Sequence, residues 1–145
     1  MPHLVILYSG NLDCDVDMTA VCRALADAML TIRDEEDEQV FPTGGARVLA
    51  YPAPSFAIGD GGAAAVAAGE SGEYGFAYLN LRMGRGRSAV VQRRAGEIIA
   101  EAARTLFAPL LQKRRIGLTF QIDVGPEVYD AKFGNLHPLF QKGKN

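Results

Sequence analysis

Proline directly after the initiator methionine is the residue whose position alone could do chemistry. Its small side chain permits removal of Met1, and the chain then begins at Pro2 with a secondary amine, a base that needs no side chain of its own. Such an amine works at neutral pH only when unprotonated. An apolar pocket beside cationic groups favours that state, because both disfavour the ammonium form. Proline makes up about 5% of residues generally, so Pro2 acquires meaning only with partners. Arginine can supply them: Arg47 follows Gly44-Gly45, and Arg87 sits in Gly84-Arg85-Gly86-Arg87-Ser88. A guanidinium holds a carboxylate through two parallel hydrogen bonds, and ligands of α/β sheets gather at the ends of strands, where both arginines fall. The common fate of a single arginine is a surface ion pair, and Arg82 and Arg85 compete with Arg87; spacing alone does not choose among them.

Other chemistries find less support. The Gly84–Ser88 turn lies between a strand pattern and a helix pattern, where an anion could meet a helix N-terminus. It lacks the Gly-Lys-Ser/Thr ending of a phosphate loop and the third glycine of a dinucleotide fingerprint. Neither His3 nor His137 stands with a nucleophile and an orienting acid, so Ser-His-Asp chemistry is not indicated. These histidines and the two cysteines, Cys14 and Cys22, show no metal-finger or His-Glu-x-x-His spacing, and metal-free chemistry is expected. Two cysteines are also too few for a disulfide framework, so both are expected to be reduced. The charges nearly cancel, 15 Lys and Arg against 17 Asp and Glu, without a basic block, which argues against a nucleic-acid partner. No apolar run approaches the ~18 residues of a membrane span. The start of the chain carries neither a charged leader nor a cleavage site, and a cytoplasmic protein is expected.

These residues must be positioned by a chain of 145 residues, 48% hydrophobic, the size of one domain. Residues 2–8 form an aliphatic run ended by Ser9-Gly10-Asn11, a buried first strand. Beyond the possible N-caps Asp15 and Asp17, the apolar residues Val21, Leu25, Ala28, Met29 and Ile32 predict a helix over about residues 16–33. The acidic run 34–38 is a solvated turn, since negative charge is unfavourable at a helix C-terminus. A second strand over residues 46–51 should stop at Pro52 and Pro54. The Gly- and Ala-rich stretch at about 55–73 reads as a mobile loop, with at most one helical turn at 63–68. Tyr74, Phe76 and Tyr78 alternate with Gly75, Ala77 and Leu79 in a central strand reaching Met83. Ser88 then caps a long helix with Val91, Ala95, Ile98, Ala102, Leu106 and Leu110 on one stripe, ending near Lys113. Ile116, Leu118, Phe120, Ile122 and Val124 alternate with Gly117, Thr119, Gln121 and Asp123 as a last strand, and a tail begins at about 126.

The order predicts an α+β fold, a two-layer sandwich of β-α-β-β-α-β type within one domain of residues 1–145. Two βαβ units make a four-stranded sheet with both helices on one face, by the right-handed crossover preference. Apolar positions left on the other face predict oligomerisation.

In these residues the chain resembles the 5-carboxymethyl-2-hydroxymuconate isomerase family of the tautomerase superfamily. The resemblance is carried by Met1-Pro2-His3 and the strand after it, Ser9, Asn11, Phe41-Pro42, Gly45 and Arg47. It continues through Tyr74, Phe76, Leu81, Gly84, Gly86-Arg87-Ser88 and Ala95-Gly96-Glu97, and ends in Lys132, Phe133, Asn135, His137, Leu139 and Phe140. It implies a homotrimer with active sites near subunit boundaries and a proton transfer that needs no cofactor. Pro2 would be the general base, taking the 2-hydroxyl proton of a dienol and returning it to a distant carbon. Arg47 and Arg87 would bind the carboxylates of a small polyanionic substrate and stabilise the developing oxyanion, and Phe41 would form an apolar wall. The chain departs from the family pattern at Leu49, where a second arginine is expected, and in the longer 52–73 loop. The same fold and base also serve other keto-enol acids, and a silent anion- or protein-binding trimer is the alternative of a different class.

Overall fold

The computed structural model describes residues 2–141. Met1, whose removal the Pro2 chemistry requires, lies outside the described residues. The first strand, β1 (His3–Ser9), turns Leu4, Ile6 and Tyr8 into the core and leaves His3 and Leu7 exposed, the two-residue period of a sheet with one covered face. Helix α1 (Met18–Leu30) starts where the Asp17 carboxylate accepts the Ala20 N–H at 3.1 Å, and it buries Met18, Val21, Leu25, Ala26 and Met29.

This helix is shorter than residues 16–33. It stops where the carbonyl of its last residue, Leu30, takes a side-chain donor: the Arg33 guanidinium donates to it and to the Ile32 carbonyl beyond. Arg94 in turn donates to the carbonyls of Arg33 and Asp34. The acidic run that follows is a turn as expected. The Asp34 carboxylate accepts the N–H groups of Glu36 and Glu38, and residues 35–38 are exposed.

Strand β2 (Arg47–Ala53) runs through Pro52 instead of ending there. It is an edge strand bonded only to β1, so a residue without an N–H is tolerated on its outer side. A five-residue helix, α2 (Ala63–Ala67), supplies the helical turn expected inside the loop. Gly62 enters it at φ 97°, and a Cβ there would stand 1.9 Å from the Gly72 carbonyl oxygen, so only glycine fits. Ion pairs Glu70–Arg115 at 2.5 Å and Glu73–Arg114 at 3.3 Å tie this segment to the chain around residue 115.

Strands β3 (Tyr74–Gly84) and β4 (Arg115–Gly125) flank the second long helix, α3 (Ala89–Lys113), whose N-cap Ser88 accepts the Val91 N–H. The buried stripe of α3 is Val91, Ala95, Ile99, Ala103, Phe107 and Leu110. Ile98, Ala102 and Leu106, expected at its centre, lie on its flank and are partly buried. Both sets recur at helical spacing, and only the direction of the packed neighbours separates them.

The sheet order is β2-β1-β3-β4, with β1 parallel to β2, β3 parallel to β4, and β1 antiparallel to β3. The two βαβ units and the single helical layer of the expected α+β sandwich are therefore present. This topology gathers the starts of β1 and β2 and the ends of β3 and β4 at one end of the sheet. The face without helices leaves Leu7, Leu49, Tyr51 and Phe76 between 37% and 51% exposed. No helix among the described residues is long and apolar enough to cross a membrane.

Phe107 is fully buried at the centre of the α3 stripe. Phe107→Ala should cost about 3–5 kcal/mol in urea unfolding, whereas Val90→Ala, at an exposed position of the same helix, should stay within about 0.5 kcal/mol.

Candidate active site

Pro2 is buried immediately before β1. Its neighbour His3 is paired across the sheet with Arg47 on one side and Arg82 on the other. Three chain segments thus meet at the point where the sequence begins.

Phe41 is the apolar element nearest in kind to the expected wall. It is fully buried in the loop leading to β2. The loop is shaped by its own hydrogen bonds: the Pro42 carbonyl accepts the N–H groups of Gly45 at 2.8 Å and Ala46 at 3.1 Å. The Gln39 amide donates to the Phe41 carbonyl at 2.6 Å.

Arg87 places its guanidinium 5.0 Å from the centroid of the Phe41 ring, a cation–π arrangement. It is held there by donating to the carbonyls of Gly84 at 3.2 Å and Val40 at 3.4 Å. The turn carrying it depends on Gly86 at φ 106°, and the Arg87 carbonyl accepts from the Gln92 side-chain amide at 2.9 Å. Burial lowers the Arg87 pKa, since desolvation penalises the cation. An arginine remains charged regardless, so Arg87 is a partly desolvated, preorientated cation with donors left for a carboxylate.

Arg47 stands at the first position of β2 and lines a groove of about 590 Å³ with Cys22, Leu30, Thr43, Leu49 and Phe140. That groove includes neither Pro2 nor Arg87. Of the expected site residues, Arg87 and Phe41 are in direct contact, while Pro2 and Arg47 share their end of the sheet without a common cavity in one chain. Arg85 is exposed and has no ion pair or hydrogen bond among the described residues.

The tail is a participant that periodicity could not place. Its short 3-10 turn (His137–Phe140) lies against Gly44, where a Cβ would come within 3.1 Å of both His137 Nδ1 and Phe140 Cδ2. Apolar residues in the tail were the available signal, but they have no regular spacing. At the opposite end of β1, the buried Tyr8 phenol donates to Asp13 at 2.5 Å. Its pKa is pushed up to about 12, first by burial and then by that carboxylate. Tyr8 is thus a structural donor remote from Pro2. Cys14 is exposed and Cys22 partly buried, and neither is in a disulfide among the described residues.

A mixed four-stranded sheet under two helices, with a buried proline leading its inner strand, defines the tautomerase fold. The chain superposes on a fused 4-OT wild-type asymmetric trimer with a TM-score of 0.59 over 97% of this chain and 99% of that one, at 14% identity. Within that class, the chain belongs to the 5-carboxymethyl-2-hydroxymuconate isomerase family, whose sequence model matches residues 2–140. A crystal structure of a 5-carboxymethyl-2-hydroxymuconate delta-isomerase is 80% identical, with a TM-score of 0.96, covering 100% of this chain and 96% of that chain. The corresponding isomerase of Deinococcus radiodurans R1 is 27% identical, with a TM-score of 0.78 over 97% of this chain and 95% of its own. The 5-carboxymethyl-2-hydroxymuconate Delta-isomerase of Escherichia coli is 25% identical over 97% of this chain and 100% of its own length. The chain is therefore an isomerase of the tautomerase superfamily.

The contact at Gly44 is open to a direct check. Gly44→Val should push the His137–Phe140 turn away, raising the rate of limited proteolysis after residue 126 while the far-UV circular dichroism stays unchanged. An unaltered cleavage rate would show that the turn does not depend on that contact.

Proposed function

We propose that the chain catalyses cofactor-free proton transfer in 5-carboxymethyl-2-hydroxymuconate or a closely related unsaturated hydroxy or keto acid of aromatic-compound degradation. Pro2 is the general base; Arg47 and Arg87 bind carboxylates and stabilise the developing oxyanion; Phe41 walls the base from water. The observation that carries this reading is the half-buried Arg87 guanidinium over fully buried Phe41, at the end of the sheet where buried Pro2 precedes β1. A neutral Pro2 nitrogen takes the proton of the 2-hydroxyl as the electron pair moves through the dienol. It then returns that proton to the distal carbon, so a carbonyl forms, the double bond shifts and the amine ends neutral. The charge that develops on oxygen is met by guanidinium groups already in place, and one such preorganised donor is typically worth ~10²-fold or more in rate.

A homotrimer supports the same reading. The helix-free face exposes Leu7, Leu49, Tyr51 and Phe76, a patch suited to burial between copies. Arg87 does not line the Arg47 groove within one chain, as for groups completed across a subunit boundary. A single domain acting on a small polyanion in the cytoplasm fits these features. Leu49, apolar and in the Arg47 groove, favours a second reading in which the substrate is a less charged keto-enol acid.

Pro2→Ala, Arg47→Ala and Arg87→Ala should each lower kcat/KM by ~10²-fold or more on 5-carboxymethyl-2-hydroxymuconate, with the trimer mass by light scattering unchanged. Wild-type turnover in an Arg87→Ala trimer would remove that residue from the mechanism. Processed protein should also lack the mass of one methionine, because an acylated Pro2 has no basic nitrogen.

A further inference from the structure

A substrate with a carboxymethyl arm on a muconate chain carries three carboxylates, one more than Arg47 and Arg87 supply cations for. We infer that Arg82 binds the third, the carboxymethyl arm, and so sets the preference for a tricarboxylate over a dicarboxylate; this rests on the proposed function. Most other arginines of the chain are committed. Arg23, Arg93, Arg104, Arg114 and Arg115 hold ion pairs; Arg33 donates to the Leu30 carbonyl at the end of α1, and Arg94 to the carbonyls of Arg33 and Asp34 beyond it.

Arg82 is exposed and has no ion pair or hydrogen bond among the described residues. The acid opposite it on β4, Asp123, is instead engaged by the Asn80 amide at 2.9 Å. The guanidinium reaches towards the Pro2 end of the sheet, because a Cβ on Gly125 would lie 3.1 Å from Arg82 Nη2. Glycine there leaves the space the side chain occupies. Arg82 is also the β3 partner of His3, the residue after Pro2.

The cavity beside it has a suitable size. A groove of about 500 Å³ runs between the tail and the helix-free face, lined by His3, Asn80, Arg82, Glu127, Asp130 and Lys132. Small-molecule sites fall at about 300–1,000 Å³. Asp130 is neutralised by Lys132 at 2.5 Å, so its charge does not oppose an anion. Glu127 is the remaining acid in the groove and makes no ion pair with Arg82 among the described residues. It opposes the arm that Arg82 attracts, and the two residues should shift selectivity in opposite senses.

The test is the ratio of KM for 5-carboxymethyl-2-hydroxymuconate to KM for 2-hydroxymuconate, which lacks the arm, measured on the assembled enzyme. Arg82→Gln should raise the ratio by ~10-fold or more, the range of a lost hydrogen bond to a charged group, and Arg82→Lys should recover part of it. Glu127→Gln should lower the ratio. The inference is overturned if Arg82→Gln changes both KM values equally or neither. Should that variant fail to assemble, a ratio in Glu127→Gln that is unchanged or raised overturns it as well. Arg47→Ala separates the two levels. If it impairs both substrates while Arg82→Gln leaves the ratio alone, the assignment of Arg82 falls and the proposed function stands; if the wild type turns over neither substrate, the proposed function falls.

Discussion

Because β1 is hydrogen-bonded along both edges, to β2 and to β3, the residues that follow Pro2 cannot fray as a chain terminus ordinarily does. Everything proposed for the site follows from that constraint. The parallel pairing sets the start of β2, with Arg47, beside the start of β1, and the antiparallel pairing sets the end of β3 on its other side. The turn after β3 then carries Arg87 back over Phe41. Segments beginning at residues 2, 47 and 84 are thereby held together by backbone hydrogen bonds, before any side chain contributes.

The electrostatics follow from burial. Desolvating a cation is unfavourable unless it is compensated, and two carbonyls and an aromatic face compensate Arg87 in part while leaving donors for an anion. The arrangement stores positive charge where water is scarce, which is the environment that keeps an amine neutral and strengthens its attraction for an anion. The other arginines show the contrast. Arg23–Asp27 and Arg93–Glu97 are exposed pairs one helical turn apart, contributing little beyond local support.

The sequence made the elements legible wherever one local rule decided the outcome. Ser88 and Asp17 cap their helices because a hydroxyl or carboxylate at that position satisfies orphan N–H groups. The alternation in β4 survives because that strand has one covered face. The rest required partners that spacing cannot supply. Which of two overlapping stripes α3 buries depends on what packs against it, and Pro52 is accommodated only because β2 is an edge. Among Arg82, Arg85 and Arg87, only the fold reveals that one alone stacks on Phe41. The return of the tail to Gly44 joins residues about ninety apart, a contact that no local pattern encodes. The tautomerase resemblance read from Pro2, Arg47 and the Gly84–Ser88 turn reaches further than periodicity, since it draws on residues from separate elements at once.

The central claim is that the Pro2 nitrogen is a free amine held neutral by its surroundings. Protein carrying ¹⁵N-labelled proline, titrated by NMR, reports that protonation directly. The account predicts a Pro2 midpoint below the ordinary α-amine range of about 7.7–8.0, coincident with the acidic limb of kcat/KM. A midpoint in or above that range, or a nitrogen that does not titrate because it is an amide, would contradict it.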